Sequence, residues 1–128
     1  MNFRSVIIPL LLAVSVSGCI TFKTRSDGIT RLRIGETGSV DGPVVTPLRV
    51  ISDSRCPIGV QCVWAGEVRI AISVRTAAGE VTREIVSGRP EPIADGALEL
   101  VEVTPGRKAD EVIYPDQYRF GFTFAGGL

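Results

Sequence analysis

The sequence predicts an all-β domain, an antiparallel sandwich or small barrel of roughly six to eight strands. Three observations carry this. In the clearest segment Val68, Ile70, Ile72 and Val74 alternate with Arg69, Ala71, Ser73 and Arg75. Successive strand side chains point to opposite faces, so a period of two marks a strand with one buried face. Glycine and proline recur at short intervals, as in Gly88, Pro90, Pro92, Pro105-Gly106 and Pro115-Asp116. Beyond residue 19 no segment carries a convincing apolar stripe at helical spacing.

Taken in order, Leu32 and Ile34 alternate with Arg31 and Arg33 and stop at Gly35. After a turn at Asp41-Gly42-Pro43, a strand over 47–52 is expected to face Leu48 and Val50 inward and Arg49 outward, ending at Asp53. Strand Glu67–Thr76 meets a turn at Ala77-Ala78-Gly79, where glycine supplies a positive φ, and Val81–Val86 returns as its hairpin partner. In Leu98–Val103 the inward positions slip phase between Leu100 and Val101, which predicts a bulge or burial of both faces. Tyr118, Phe120, Phe122 and Phe124 occupy every second position of a closing strand. Asp95-Gly96 marks a further turn, and Gly126-Gly127 frays the C-terminus. With no internal repeat or low-complexity linker, residues 29–128 read as a single domain.

The N-terminus has a different character. Met1-Asn2-Phe3-Arg4 bears one positive charge, and an apolar run from Val6 to Val16 follows, broken only by Pro9 and Ser15. Eleven helical residues span about 16 Å, roughly half the hydrocarbon core of a bilayer. That is short for a membrane span and suits the apolar region of a signal peptide. The run closes in Val16-Ser17-Gly18-Cys19. Small residues let the backbone lie extended in a peptidase site, and the cysteine offers a thiol for a diacylglyceryl thioether. These residues resemble a bacterial lipobox. The resemblance implies cleavage between Gly18 and Cys19, removal of residues 1–18, acyl chains (palmitate among them) on Cys19, and a short tether over 19–28. An ordinary secretory signal with Cys19 merely nearby is the alternative. At about 0.8 kcal/mol per buried methylene, several acyl chains hold a protein on a membrane almost permanently. Residue 20 is Ile rather than Asp; by resemblance to the known sorting preference, a host with two membranes would place the protein in the outer one, facing the periplasm.

With Cys19 assigned to lipid, Cys56 and Cys62 remain. Export to an oxidising compartment favours a disulfide between two thiols so close in sequence. Three other roles compete. A zinc site needs three or four ligands, and the chain has no His. A redox pair usually has the tighter Cys-x-x-Cys spacing. A free catalytic thiol would lack an imidazole partner.

The cysteines sit in a longer constellation, Asp53-Ser54-Arg55-Cys56-Pro57-Ile58-Gly59-Val60-Gln61-Cys62-Val63-Trp64-Ala65-Gly66-Glu67. It resembles a motif of small bacterial envelope proteins and lipoproteins that share an Asp-Ser-Arg-Cys-Pro opening, a second Cys and a following Trp-Ala-Gly. The alternating strand after it and the closing Asp116-Gln117-Tyr118 fit more loosely. The resemblance implies a β domain with a disulfide loop and brings no activity with it. As a structural device, the Asp53 carboxylate accepts local backbone N–H groups, Pro57 and Gly59 stiffen and kink the loop, Trp64 covers the disulfide and seats the loop on the core, and Arg55 pairs with Glu67. As a functional device, the loop presents Asp53, Arg55, Gln61, Trp64 and Glu67 as a recognition surface. A metal role for Asp53 and Glu67 has no third ligand in view.

Composition narrows the chemistry. The chain holds 14 basic and 14 acidic residues without a block of either sign, so the basic stripe of a nucleic-acid binder is missing. Without His, a Ser-His-Asp triad is impossible. The carboxylate pairs Glu99 with Glu102 and Asp110 with Glu111 read as solvated, no glycine-rich phosphate loop precedes a helix, and Lys23 and Lys108 fall in loops. The expectation is a protein without catalytic function, cofactor or metal: a lipid-anchored interaction module that docks an envelope protein or glycan. A protease-inhibitor-like sandwich presenting the Cys56–Cys62 loop is the alternative.

Overall fold

The computed structural model describes residues 27–126; the expected signal segment, the Gly18–Cys19 cleavage point, Lys23 and Gly127 lie outside them. Among the described residues eight strands form: β1 (Thr30–Leu32), β2 (Gly38–Ser39), β3 (Val44–Asp53), β4 (Val68–Thr76), β5 (Gly79–Val86), β6 (Glu91–Ile93), β7 (Gly96–Thr104) and β8 (Arg119–Gly126). A single 3-10 turn, Pro115–Gln117, precedes β8. All pairings are antiparallel and give two separate four-stranded sheets, ordered β1-β8-β7-β6 and β2-β3-β4-β5. The fold is therefore a sandwich and not a closed barrel. No helix of the described residues is long and apolar enough to cross a membrane.

The alternation in β4 does what its period requires. Val68, Ile70, Ile72 and Val74 are fully buried between β3 and β5. Facing them from the other sheet are Leu98, Leu100, Phe120 and Phe122, also fully buried, with Leu32, Ile93 and Tyr118 closing the edges. Each such side chain contributes about 2 kcal/mol on burial, so this two-layer core, and no polar contact, carries the fold. The β4–β5 hairpin turns through Ala77-Ala78 into Gly79, whose φ of +119° is open to glycine and strained for other residues. The phase slip expected in β7 is a bulge: Leu100 pairs with Phe122 and Glu102 with Gly121, leaving Val101 unpaired and exposed.

In β3 the expected pattern holds for exposed Arg49 and for Val50, which packs against the core, and fails at Leu48. Leu48 does not face inward; it is 38% exposed, because register shifts between Pro47 and Arg49, and again between Val50 and Ser52, make Leu48 and Ile51 the extra residues of two bulges. Pro47 explains why the edge tolerates this. Its carbonyl accepts the Gly35 N–H on the outer side of β3, the side where its missing N–H would also have pointed. The short strands β2 and β6 carried no alternation long enough to read, although Pro92 fits its edge position in β6.

The sheets share their ends. Asp53 pairs with Val68 and Thr104 with Arg119, so the β3–β4 and β7–β8 loops leave the sandwich at one end. The Asp41-Gly42-Pro43 turn, the Ala77 hairpin, Ala94-Asp95 and Gly126 gather at the other.

Candidate functional site

The β3–β4 loop, 54–67, is tied down by its own first residues. Ser54 donates its N–H to the Glu67 carbonyl at 2.9 Å, and its hydroxyl both donates to that carbonyl and accepts the Glu67 N–H, each at 3.1 Å. This zip brings Gly66 so close that a Cβ there would overlap the Ser54 carbonyl and the Arg55 Cα. The glycine of the Trp-Ala-Gly segment is thus a steric requirement. Cys56 and Cys62 close the loop as a disulfide, with Cα atoms 5.9 Å apart. Between them Val60 N–H bonds to the Pro57 carbonyl at 3.1 Å, and Gly59 takes the positive φ (+81°) of that turn.

Asp53 and Arg55 form the polar latch beneath the loop. Arg55 reaches Asp53 bidentately, Nε to Oδ1 at 2.9 Å and Nη2 to Oδ2 at 2.7 Å, and its backbone N–H adds a bond to Oδ1 at 3.3 Å. From the opposite sheet the Tyr118 hydroxyl donates to Asp53 Oδ2 at 2.9 Å, while Arg55 Nη1 donates to the Val103 carbonyl at 2.9 Å. The second loop joins in. Arg107 Nη1 donates to the Arg55 carbonyl at 3.0 Å, and the Ile58 N–H donates to the Arg107 carbonyl at 2.8 Å. Asp53 and Arg55 together therefore join both sheets and both loops at this end.

Electrostatics follow from the geometry. Burial alone would push the Asp53 carboxyl up; the hydrogen bonds from Arg55 and Tyr118, with the Arg55 charge, overcome that and hold it below its usual range. Burial and the bond to Asp53 raise the Tyr118 phenol to about 12. Asp53 is a carboxylate whose lone pairs are already committed, and Tyr118 keeps its proton through neutral pH, so neither is suited to proton transfer.

The residues expected to act together separate into two groups. Arg55 pairs with Asp53 and not with Glu67, because Asp53 lies two residues away on the same strand end. Glu67 instead binds Arg89 Nη2 at 3.0 Å and Arg69 at 3.6 Å. Trp64 is not seated on the core: it is 61% exposed, beside Val63 at 97%, and Ile58 at 67%. Gln61 is exposed on the same loop. Thus Asp53, Arg55 and Glu67 hold the loop, while Gln61 and Trp64 stand on its outer surface with Ile58, Val60 and Val63, three apolar residues that no alternation marks in the sequence. Glu102 is not simply solvated either; it takes Arg31 bidentately at 2.8 and 3.0 Å, and Arg31 also holds Asp27 at 2.8 Å. Asp110 and Glu111 are exposed in the second loop, as is Lys108.

Two cavities flank the latch. One of about 530 Å³ opens between the sheets at the bulged half of β3, lined by Ile34, Leu48, Val50, Ile51, Ile113 and Tyr118. The other, about 550 Å³, is a charged trough over Arg31, Arg33, Glu36, Glu102, Thr104 and Arg119, in which Glu102 already engages Arg31. No group of three or more His, Cys, Asp or Glu among the described residues is placed to hold a metal ion. No protein-family model, curated protein or solved structure matches this chain.

Proposed function

We propose that the chain is a lipid-anchored, non-catalytic interaction module of the bacterial cell envelope, processed between Gly18 and Cys19, acylated on Cys19, and making its contacts through the disulfide-loop end. One observation supports this most strongly. Along one stretch of chain, Asp53 and Arg55 are committed to the latch and Ser54 is tied to the Glu67 backbone, while Val63 and Trp64 are left bare. Clustered exposed apolar side chains on a rigid support mark a contact surface. The address rests on the apolar run Val6–Val16 followed by Val16-Ser17-Gly18-Cys19, and a disulfide is at home in the oxidising compartment that such a signal leads to.

The experiment is site-specific photo-crosslinking in intact envelopes, with the probe at position 63 or, as control, at Ala78 in the hairpin at the far end. The expected result is a discrete adduct, to protein or lipid, from position 63 alone. Equal labelling from both positions, or none from position 63, contradicts the proposal. A second reading draws on preorganisation. The loop is closed by a disulfide and bonded at both ends, which lowers the entropy lost when a rigid loop plugs a protease cleft. It requires the adduct to be a protease that the added domain inhibits.

A further inference from the structure

We infer that the disulfide-loop end is a membrane-contacting wedge whose occupant is the bilayer holding the anchor. The inference rests on the lipid-anchor reading above and goes on to name what the loop touches. From Cys56 to Gly66 the loop contains no charged residue. Ile58, Val60, Val63 and Trp64 are exposed on it, and Val112 and Tyr114 are exposed on the neighbouring β7–β8 loop. The two loops are joined by the Ile58–Arg107 hydrogen bond, and Gly106 leaves room for the Ile58 side chain, whose Cδ1 lies 2.8 Å from where a Cβ would stand. Aliphatic tips combined with Trp and Tyr suit the boundary between headgroups and acyl chains, where an amphipathic ring can keep its polar edge wet.

The charges at this end decide what kind of attraction it has. Arg55 is paired with Asp53 and Arg89 with Glu67. In the β7–β8 loop and at its junction with β8, Arg107, Lys108 and Arg119 are matched by Asp110, Glu111 and Asp116. With the charges balanced, apolar insertion and not headgroup attraction supplies the contact, so it is insensitive to salt and to anionic lipid content.

The length of chain before the domain selects the bilayer over a distant partner. Residues 19–26 span at most about 27 Å when extended. Their root is fixed on the sandwich, because Asp27 is held by Arg31 and Arg31 by Glu102. Thr30 pairs with Phe122, three positions along β8 from Arg119 and the loop end, and Asp27 lies three residues before Thr30, so the root stands no more than about 20 Å from that end. An acylated Cys19 therefore keeps the wedge within reach of the membrane surface at all times, and a surface this close at such high local concentration is the first occupant available to it.

Trp64 is the only Trp, so its emission reports on this loop alone. The test uses the acylated protein reconstituted into vesicles of phosphatidylethanolamine and phosphatidylglycerol, with and without brominated acyl chains. The expected result is a blue-shifted Trp64 emission, quenched by the brominated chains, several-fold less accessible to aqueous acrylamide than in the unacylated protein without vesicles, and unchanged by added salt. Val63→Asp, at a site that is almost fully exposed, should return the acrylamide access without altering the melting temperature. An acylated sample whose Trp64 stays open to acrylamide and untouched by brominated lipid overturns the inference, leaving the interaction-module reading in place with a protein as occupant. A sample whose intact mass shows no acyl chains overturns the anchor and the inference together.

Discussion

Tyr118 and Asp53, 65 residues apart in the chain, meet at 2.9 Å across the sandwich, phenol to carboxylate. The contact joins the residue just before β8 to the last residue of β3, and through Arg55 it reaches the disulfide loop. Its net worth is about 1 kcal/mol, small beside the core. What it determines is the pose of the loop.

Removing the carboxylate should cost far more than removing the phenol oxygen. Asp53→Ala leaves the largely buried Arg55 guanidinium unpaired and should destabilise the domain by about 3 kcal/mol, whereas Tyr118→Phe, which leaves the ion pair intact, should lose about 1 kcal/mol. Urea unfolding of the two variants measures both. Equal losses would remove Arg55 from the account.

Stability should fall at both ends of the pH range. The folded Asp53 carboxyl titrates below its unfolded value, so its contribution is complete above pH of about 4 and disappears as pH falls through the folded pKa. The folded Tyr118 phenol sits at about 12, above the unfolded value, so its contribution is complete below pH of about 10 and is lost as pH rises toward the folded value. Melting temperature against pH should show both losses, and Tyr118→Phe should abolish the alkaline one.

Two glycines in the paired loops should respond differently to the same substitution. Gly66→Ala forces a methyl group into the Ser54–Arg55 backbone, which cannot move without undoing the zip, and should cost about 2 kcal/mol or more. Gly106→Ala meets only the end of the flexible Ile58 side chain and should change stability by less than about 0.5 kcal/mol. Thermal melts of the pair check this; the reverse order would refute the packing described for the loop.

Reduction of the disulfide, or Cys56→Ser, should lower stability by about 2 kcal/mol, as the chain-entropy relation gives for so short a ring. The core is untouched, so near-ultraviolet signals from the β8 aromatics should persist. A melting temperature identical with and without reductant would remove the staple.

Where the chain alternates over many residues, its sequence discloses the fold. The β4–β5 hairpin, the β8 aromatic ladder and the Val101 bulge are all legible, because burial imposes a period of two and a slip in that period is itself visible. The β3 bulges are not, because Leu48 and Ile51 are apolar in either phase and only the register with β4 distinguishes them. The latch illustrates the same limit for polar groups. Asp53 could be seen to cap a turn, and its backbone bond to Arg55 is local, yet nothing local indicates that Tyr118 arrives from the other sheet. Trp64 departs from expectation for a further reason: a lone Trp beside a disulfide is ordinarily core, and only the zip at Ser54 and Glu67 shows the segment turning its face outward.

Whether Cys19 anchors a domain stapled at Cys56 and Cys62 is tested most directly by the intact mass of protein extracted from membranes, measured with and without reductant and thiol alkylation. The account predicts the mass of residues 19–128 plus acyl chains, with two cysteines alkylated only after reduction. An unprocessed or unacylated mass with freely reactive thiols would contradict it.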